Sequence, residues 1–187
     1  MVKKINCCVF ISGKGSNLLA LIKSSKSYNF PLKINLVISN KKEALGLKYA
    51  KKYNIPFKVY NLSDHRKFEK LVLKELKNRK IKFLCLAGFM KILSKSFIKN
   101  FRNKIINIHP SLLPKYKGLN IHKRVLLNNE KFSGCTVHYV TPRLDSGKII
   151  LQKKINIKKK ETENSLKRKI LLQEHKIYSK AIRLIFD

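Results

Sequence analysis

An apolar run, Ile5 to Ser12, passes directly into Gly13-Lys14-Gly15-Ser16-Asn17 and then into the helix-forming stretch Leu18 to Ser25. Strand, glycine turn and helix in that order open a βαβ unit, which commits a chain to a parallel sheet covered by helices. The pattern continues: Leu32 to Ser39 reads as a strand, Glu43 to Tyr53 as a helix, Phe57 to Tyr60 as a strand and Asp64 to Lys80 as a longer helix capped by Ser63 or Asp64. Phe83 to Ala87 is apolar throughout, as suits a central strand buried on both faces, and Gly88 ends it. A short helix near Ser94 to Lys99 leads to a fifth strand, Lys104 to His109. The two prolines and one glycine of 110–120 then require a loop.

Beyond that loop, His122 to Asn128 reads as a helix, and Gly134 to Val140 and Lys148 to Ile157 read as strands joined by Thr141 to Gly147. No helix separates those two strands, so they add a mixed or antiparallel edge. The tail, Glu163 to Phe186, is a long amphipathic helix. The expected fold is α/β, a Rossmann-like doubly wound and mostly parallel sheet with a mixed edge, and its ligands bind at the carboxyl ends of the strands. With 187 residues and no linker, repeat or low-complexity tract, the chain is read as a single domain, 1–187.

Charge sets the next constraint. A formal net charge of +33 invites a nucleic-acid partner. Yet only seven of the 43 basic residues are Arg, the lysines are spread along the whole chain, and their longest run is Lys158-Lys159-Lys160. Base readout and phosphate forks favour clustered Arg, so the pattern argues against nucleic acid and for lysines on solvated faces, some of which help steer anionic small substrates. The basic start Met1-Val-Lys-Lys is followed by too short an apolar run for a signal peptide, and no apolar segment approaches the roughly 20 residues of a membrane span. A cytoplasmic protein without a membrane partner is expected. Cys7, Cys8, Cys85 and Cys135 form no C-x-x-C pair and fall in expected buried strands, as small hydrophobes rather than zinc ligands or disulfides.

Gly13-x-Gly15 matches a dinucleotide turn only in part, because Leu18 stands where a third glycine belongs and Ser39-Asn40 where an acidic residue belongs. A P-loop fails too, since Gly15 follows Gly13-Lys14. Two readings remain open for the turn: a phosphate cradle built from the N–H groups of Gly15, Ser16 and Asn17, or a structural turn. Farther on, Asn107 and His109 point the same way from the carboxyl end of a strand, so that an amide and an imidazole project together. Asp145, in Leu144-Asp145-Ser146-Gly147, is by itself a turn residue. Paired with His109, it would keep the imidazole cationic and fix its orientation. His65, His122, His138 and His175 are read as structural.

Ile11 to Leu18, Leu86 to Leu93, Asn107 to Tyr116 and Leu144 to Gly147, with Gln173-Glu174-His175, together resemble the phosphoribosylglycinamide formyltransferases of purine synthesis, nearly end to end and in order. The resemblance implies transfer of a formyl group from 10-formyltetrahydrofolate, as co-substrate and without a metal, to the amine of glycinamide ribonucleotide. It implies Asn107, His109 and Asp145 as the catalytic trio, with Gly15, Ser16 and Asn17 on the nucleotide's phosphate side and Glu174 at its ribose. The same resemblance assigns folate to Arg66, Met90, Lys91, Ile92, Leu93, Asn107 and Thr141 to Asp145, so that the N-terminal half serves the nucleotide and the C-terminal half helps with the folate. Lys117 stands where such enzymes often have Pro, and the chain ends at Asp187, directly after its last helix. A monomer or homodimer is expected.

Three other protein classes share features with this sequence. Formyltetrahydrofolate hydrolases share the trio but usually carry an N-terminal regulatory domain, whereas this chain begins at its first strand. Methionyl-tRNA formyltransferases carry a C-terminal RNA-binding domain. A basic nucleic-acid-binding protein would display clustered Arg and exposed stacking aromatics.

Overall fold

A computed structural model describes residues 4–61 and 63–187; the basic start, through residue 3, lies outside them. The elements run β1 (Ile5–Ile11), α1 (Ser16–Ser25), β2 (Leu32–Ser39), α2 (Leu47–Lys52), β3 (Phe57–Val59), α3 (His65–Asn78), β4 (Phe83–Leu86), α4 (Lys95–Phe101), β5 (Lys104–His109), α5 (Ile121–Leu127), β6 (Phe132–Tyr139), β7 (Ile149–Asn156) and α6 (Glu163–Phe186). The seven strands are ordered β3-β2-β1-β4-β5-β6-β7 in one sheet. The alternating pattern thus yields the expected α/β sheet. By contacts the chain divides into two compact units, one through Ile106 and the other Asn107–Asp187.

In the first unit, β1 pairs in parallel with β2 and β4, and β2 with β3, so Val9 lies between Val37 and Cys85. Strands sandwiched this way must be apolar on both faces, and Cys8, Val9, Phe10 and Ile11 are fully buried. The Phe10 ring meets Phe89 edge-on at 5.1 Å, and Phe68 stacks on Phe89 at 6.1 Å. Each large side chain buried this fully stabilises the fold by roughly 1.5–3 kcal/mol. Asp64 caps α3 by accepting the Lys67 N–H at 3.0 Å.

One helix starts later than expected. The segment from Glu43 enters α2 only at Leu47, because Gly46 is drawn onto the glycine turn and its N–H donates to the Gly13 carbonyl at 2.9 Å. Gly15 sits at φ +73°, and a Cβ there would lie 2.4 Å from the Gly46 Cα. Two backbones cross where neither can carry a side chain, and the crossing overrides helix propensity.

In the second unit, β6 and β7 pair antiparallel, Thr136 opposite Gln152, and form the expected non-parallel edge. The register of this pair shifts between Val137 and His138. α6 is capped by Thr162, whose hydroxyl accepts the Ser165 N–H at 3.2 Å. It buries Leu166, Ile170, Glu174, Ile177, Tyr178, Ala181 and Ile182, the three-and-four spacing of one helical face. Among the described residues, no helix is long and apolar enough to cross a membrane.

Candidate active site

The glycine turn leads into α1 with Gly15 as N-cap, a residue that makes no side-chain cap to the helix. Ser12, just before the turn, donates through Oγ to Asn40 Oδ1 at 2.6 Å and accepts the Met90 N–H at 2.8 Å. The ends of β1, β2 and β4 are thereby tied together. In the segment after Gly88, Met90 and Ile92 are 64% and 61% exposed and Leu93 is buried. The Lys91 ammonium lies 5.3 Å from the Phe68 ring centroid, and Arg66 is exposed on the first turn of α3. His65 donates from Nε2 to the Ile92 carbonyl at 2.9 Å, and the buried Glu69 accepts from Ser94 N at 2.7 Å and Ser94 Oγ at 2.5 Å. An apolar surface strip with nearby cations is thus held rigidly from beneath.

The second unit gathers Asn107, His109, His138 and Asp145. Asn107 and His109 come from β5 as its period of two requires, Asn107 half-buried and His109 buried. His109 donates from Nε2 to the Tyr116 carbonyl at 2.9 Å and places Nδ1 3.4 Å from Asp145 Oδ2. Both ring nitrogens thus face oxygen atoms. Asp145 Oδ2 also accepts the Gly118 N–H at 3.0 Å, while Oδ1 lies 3.8 Å from His138 Nε2.

His138 is the member that the sequence reading placed among structural histidines. Its Nδ1 lies 2.9 Å from the Tyr139 carbonyl, which can only accept, so Nδ1 carries a proton. Burial is the chief cause that holds its pKa below the ordinary histidine value; the Tyr139 carbonyl and Asp145 pull the other way, and His109 adds to the depression. Neutral His138 therefore presents a lone pair at Nε2, which accepts from Asn107 Nδ2 at 3.3 Å. That bond fixes which end of the Asn107 amide is the donor. One of its two N–H groups remains to be offered elsewhere.

The loop of 110–120 is fastened to the sheet by a buried hydroxyl. Thr136 donates through Oγ1 to the Ser111 carbonyl at 2.6 Å and accepts from Leu113 N at 3.1 Å and Gln152 Nε2 at 2.8 Å. On the Asp145 loop, Thr141 Oγ1 and Ser146 Oγ both donate to the Arg143 carbonyl, at 3.1 and 2.9 Å. A Cβ on Gly147 would lie 1.7 Å from the Tyr139 carbonyl oxygen, so only glycine closes that loop against β6. Glu174 is buried on α6 and contributes, after burial, to pushing the Cys135 thiol up to about 12. Among the described residues, no group of His, Cys, Asp and Glu could hold a metal ion.

An alternating α/β frame with a glycine turn after its first strand, and polar groups at strand ends, defines the Rossmann-like class. Within that class, residues 5–182 match the formyl transferase family, and the chain belongs to it. It is 41% identical over 186 residues to the human trifunctional purine biosynthetic protein adenosine-3, covering 98% of this chain but 18% of that protein. The chain therefore spans less than a fifth of the trifunctional relatives it matches. To the phosphoribosylglycinamide formyltransferase of Haemophilus influenzae it is 40% identical over 185 residues, covering 97% of this chain and 86% of that one. The crystal structure of phosphoribosylglycinamide formyltransferase from Anaplasma phagocytophilum superposes with a TM-score of 0.90 at 42% identity, over 98% of this chain and 87% of that one.

Proposed function

We propose that the chain transfers the formyl group of 10-formyltetrahydrofolate to the amine of glycinamide ribonucleotide, in purine biosynthesis and in the cytoplasm, as one domain that acts as a monomer or homodimer. The observation that carries this reading is the grouping of Asn107, His109 and Asp145: the His109 imidazole lies 3.4 Å from the Asp145 carboxylate, and Asn107 donates to His138, which lies 3.8 Å from the same carboxylate. A single family match over 5–182 and the names of the full-length relatives support it, and the two compact units fall inside that one match.

Bound 10-formyltetrahydrofolate supplies the formyl carbon. Exposed Met90 and Ile92 suit its apolar ring, and Arg66 and Lys91 suit an anionic tail; Leu93, being buried, serves through its backbone. Thr141 and Asp145 complete the folate side. Gly15, Ser16 and Asn17 hold the nucleotide phosphate at the N-terminus of α1, where N–H groups and helix dipole favour an anion, and Glu174 holds the ribose. As the amine adds to the formyl carbon, Asn107 donates its remaining N–H to the negative charge that develops on the formyl oxygen. His109, 3.4 Å from the Asp145 carboxylate, stabilises the same charge in its protonated form. Asp145 then directs the proton from the amine towards the leaving folate nitrogen, through His109 or a water.

The test follows absorbance as a 10-formyl folate is deformylated, with and without glycinamide ribonucleotide, beside an Asp145→Asn control. Turnover that depends on the ribonucleotide and disappears in the variant supports the reading. Consumption without the ribonucleotide indicates a hydrolase, and no consumption reopens nucleic-acid binding.

A further inference from the structure

Resting on the formyl-transfer reading, we infer that Tyr116 is a positioning residue for His109, and that Glu130, Asn128 and Arg124 hold it in place. The buried imidazole is oriented by a backbone carbonyl, that of Tyr116, at 2.9 Å from Nε2. Such an acceptor is only as well aimed as the loop that carries it. Tyr116 has φ +56°, a left-handed conformation that a residue with a side chain keeps only where its surroundings enforce it.

The enforcement is visible on the other side of the same residue. The phenol donates to Glu130 Oε1 at 2.9 Å and accepts from Asn128 Nδ2 at 2.9 Å. Arg124, on α5, sets its guanidinium 5.4 Å from the Tyr116 ring centroid and donates to the Lys117 carbonyl at 2.7 Å. Glu130 Oε1 accepts in addition from Lys115 Nζ at 3.1 Å. Side chain and both neighbours of residue 116 are therefore tied to one short helix and the turn after it, which leaves its carbonyl a single direction. With Nε2 tied to that carbonyl, rotation of the His109 ring is fixed, and Nδ1 is left 3.4 Å from Asp145 Oδ2. In a chain of ten acidic residues, one carboxylate at the surface is thus committed to a tyrosine hydroxyl behind the trio.

The experiment compares full-length Tyr116→Phe, Glu130→Ala and Glu130→Gln with the unaltered chain. Its first readout is the His109 Nε2–H proton in spectra of histidine-labelled protein, assigned by its loss in His109→Asn. Its second is kcat and KM for both substrates, beside the thermal midpoint. Tyr116→Phe and Glu130→Ala are expected to shift or broaden the Nε2–H signal and to lower kcat on the order of 10- to 100-fold, the scale of a small misplacement, with KM nearly constant. Glu130→Gln, which keeps an acceptor for the phenol, should recover most of both. An unmoved signal, or a moved signal with unchanged kcat, overturns the inference and leaves Tyr116 a loop fastener. If the unaltered chain shows no ribonucleotide-dependent turnover, the formyl-transfer reading falls by itself, and the ring signal alone then decides whether Tyr116 orients His109.

Discussion

At the scale of single residues, the proposed chemistry turns on who donates to whom around Asn107. Its amide gives one N–H to the lone pair of His138, and the other is the group assigned to the developing oxyanion. Asn107→Ala should therefore lower kcat on the order of 100-fold, the usual cost of one oxyanion donor, with substrate KM values far less affected. A fall confined to KM would mean that the amide binds substrate without stabilising the transition state. Two members of the trio were legible in sequence because alternation along β5 puts positions 107 and 109 on one face. Asp145 was legible only once the others were known, since an Asp-Ser-Gly turn looks the same with or without a partner. His138 was not legible at all. Its approach to Asp145, 3.8 Å, lies beside a local register shift in β6 that has no composition signature.

Among the elements, the decisive link is the one between the loop of 110–120 and the β6–β7 edge. Thr136 Oγ1 makes three hydrogen bonds while fully buried, two of them to backbone groups of that loop. Thr136→Val keeps the shape but orphans the Ser111 carbonyl and the Leu113 N–H, each costing about 1–3 kcal/mol if it stays buried. Urea unfolding should show a loss of stability of that order, and kcat should fall with it because the same loop carries the acceptor for His109. Unchanged stability would show that water replaces the hydroxyl. Most element boundaries followed from periodicity and turn residues. The late start of α2 did not, because it depends on Gly46 meeting Gly15, residues far apart in sequence whose shared property is the lack of a side chain. The hold of Glu130 on Tyr116 is likewise a contact across 14 residues of irregular chain, for which no sequence period exists.

For the whole molecule, charge sets how stability responds to pH and salt. His138 and His122 have pKa values held below the ordinary histidine value, burial being the chief cause in both. The unfolded chain therefore binds protons that the folded one resists, and stability should decline as pH falls below about 6.5. A second decline belongs below the usual carboxylate range, about 4, where Glu130 loses the Tyr116 and Lys115 bonds that depress its pKa and Asp64 loses its bond to the Lys67 N–H. Thermal midpoints measured across that range should fall in these two steps, and a flat profile would contradict the burial assigned to the histidines. A net charge of +33 repels itself, so added salt should raise the midpoint at neutral pH; a midpoint lowered by salt would mean that attractive pairs dominate instead.

Under the proposed function the formyl group passes to an amine rather than to water, and following the carbon itself tests this. A 10-formyl folate labelled at the formyl carbon is mixed with the protein and glycinamide ribonucleotide, and the label is located by mass spectrometry. The proposed function requires the label to appear in formylglycinamide ribonucleotide, with transfer abolished in Asp145→Asn. Label released as formate while the ribonucleotide is present and unmodified would contradict it.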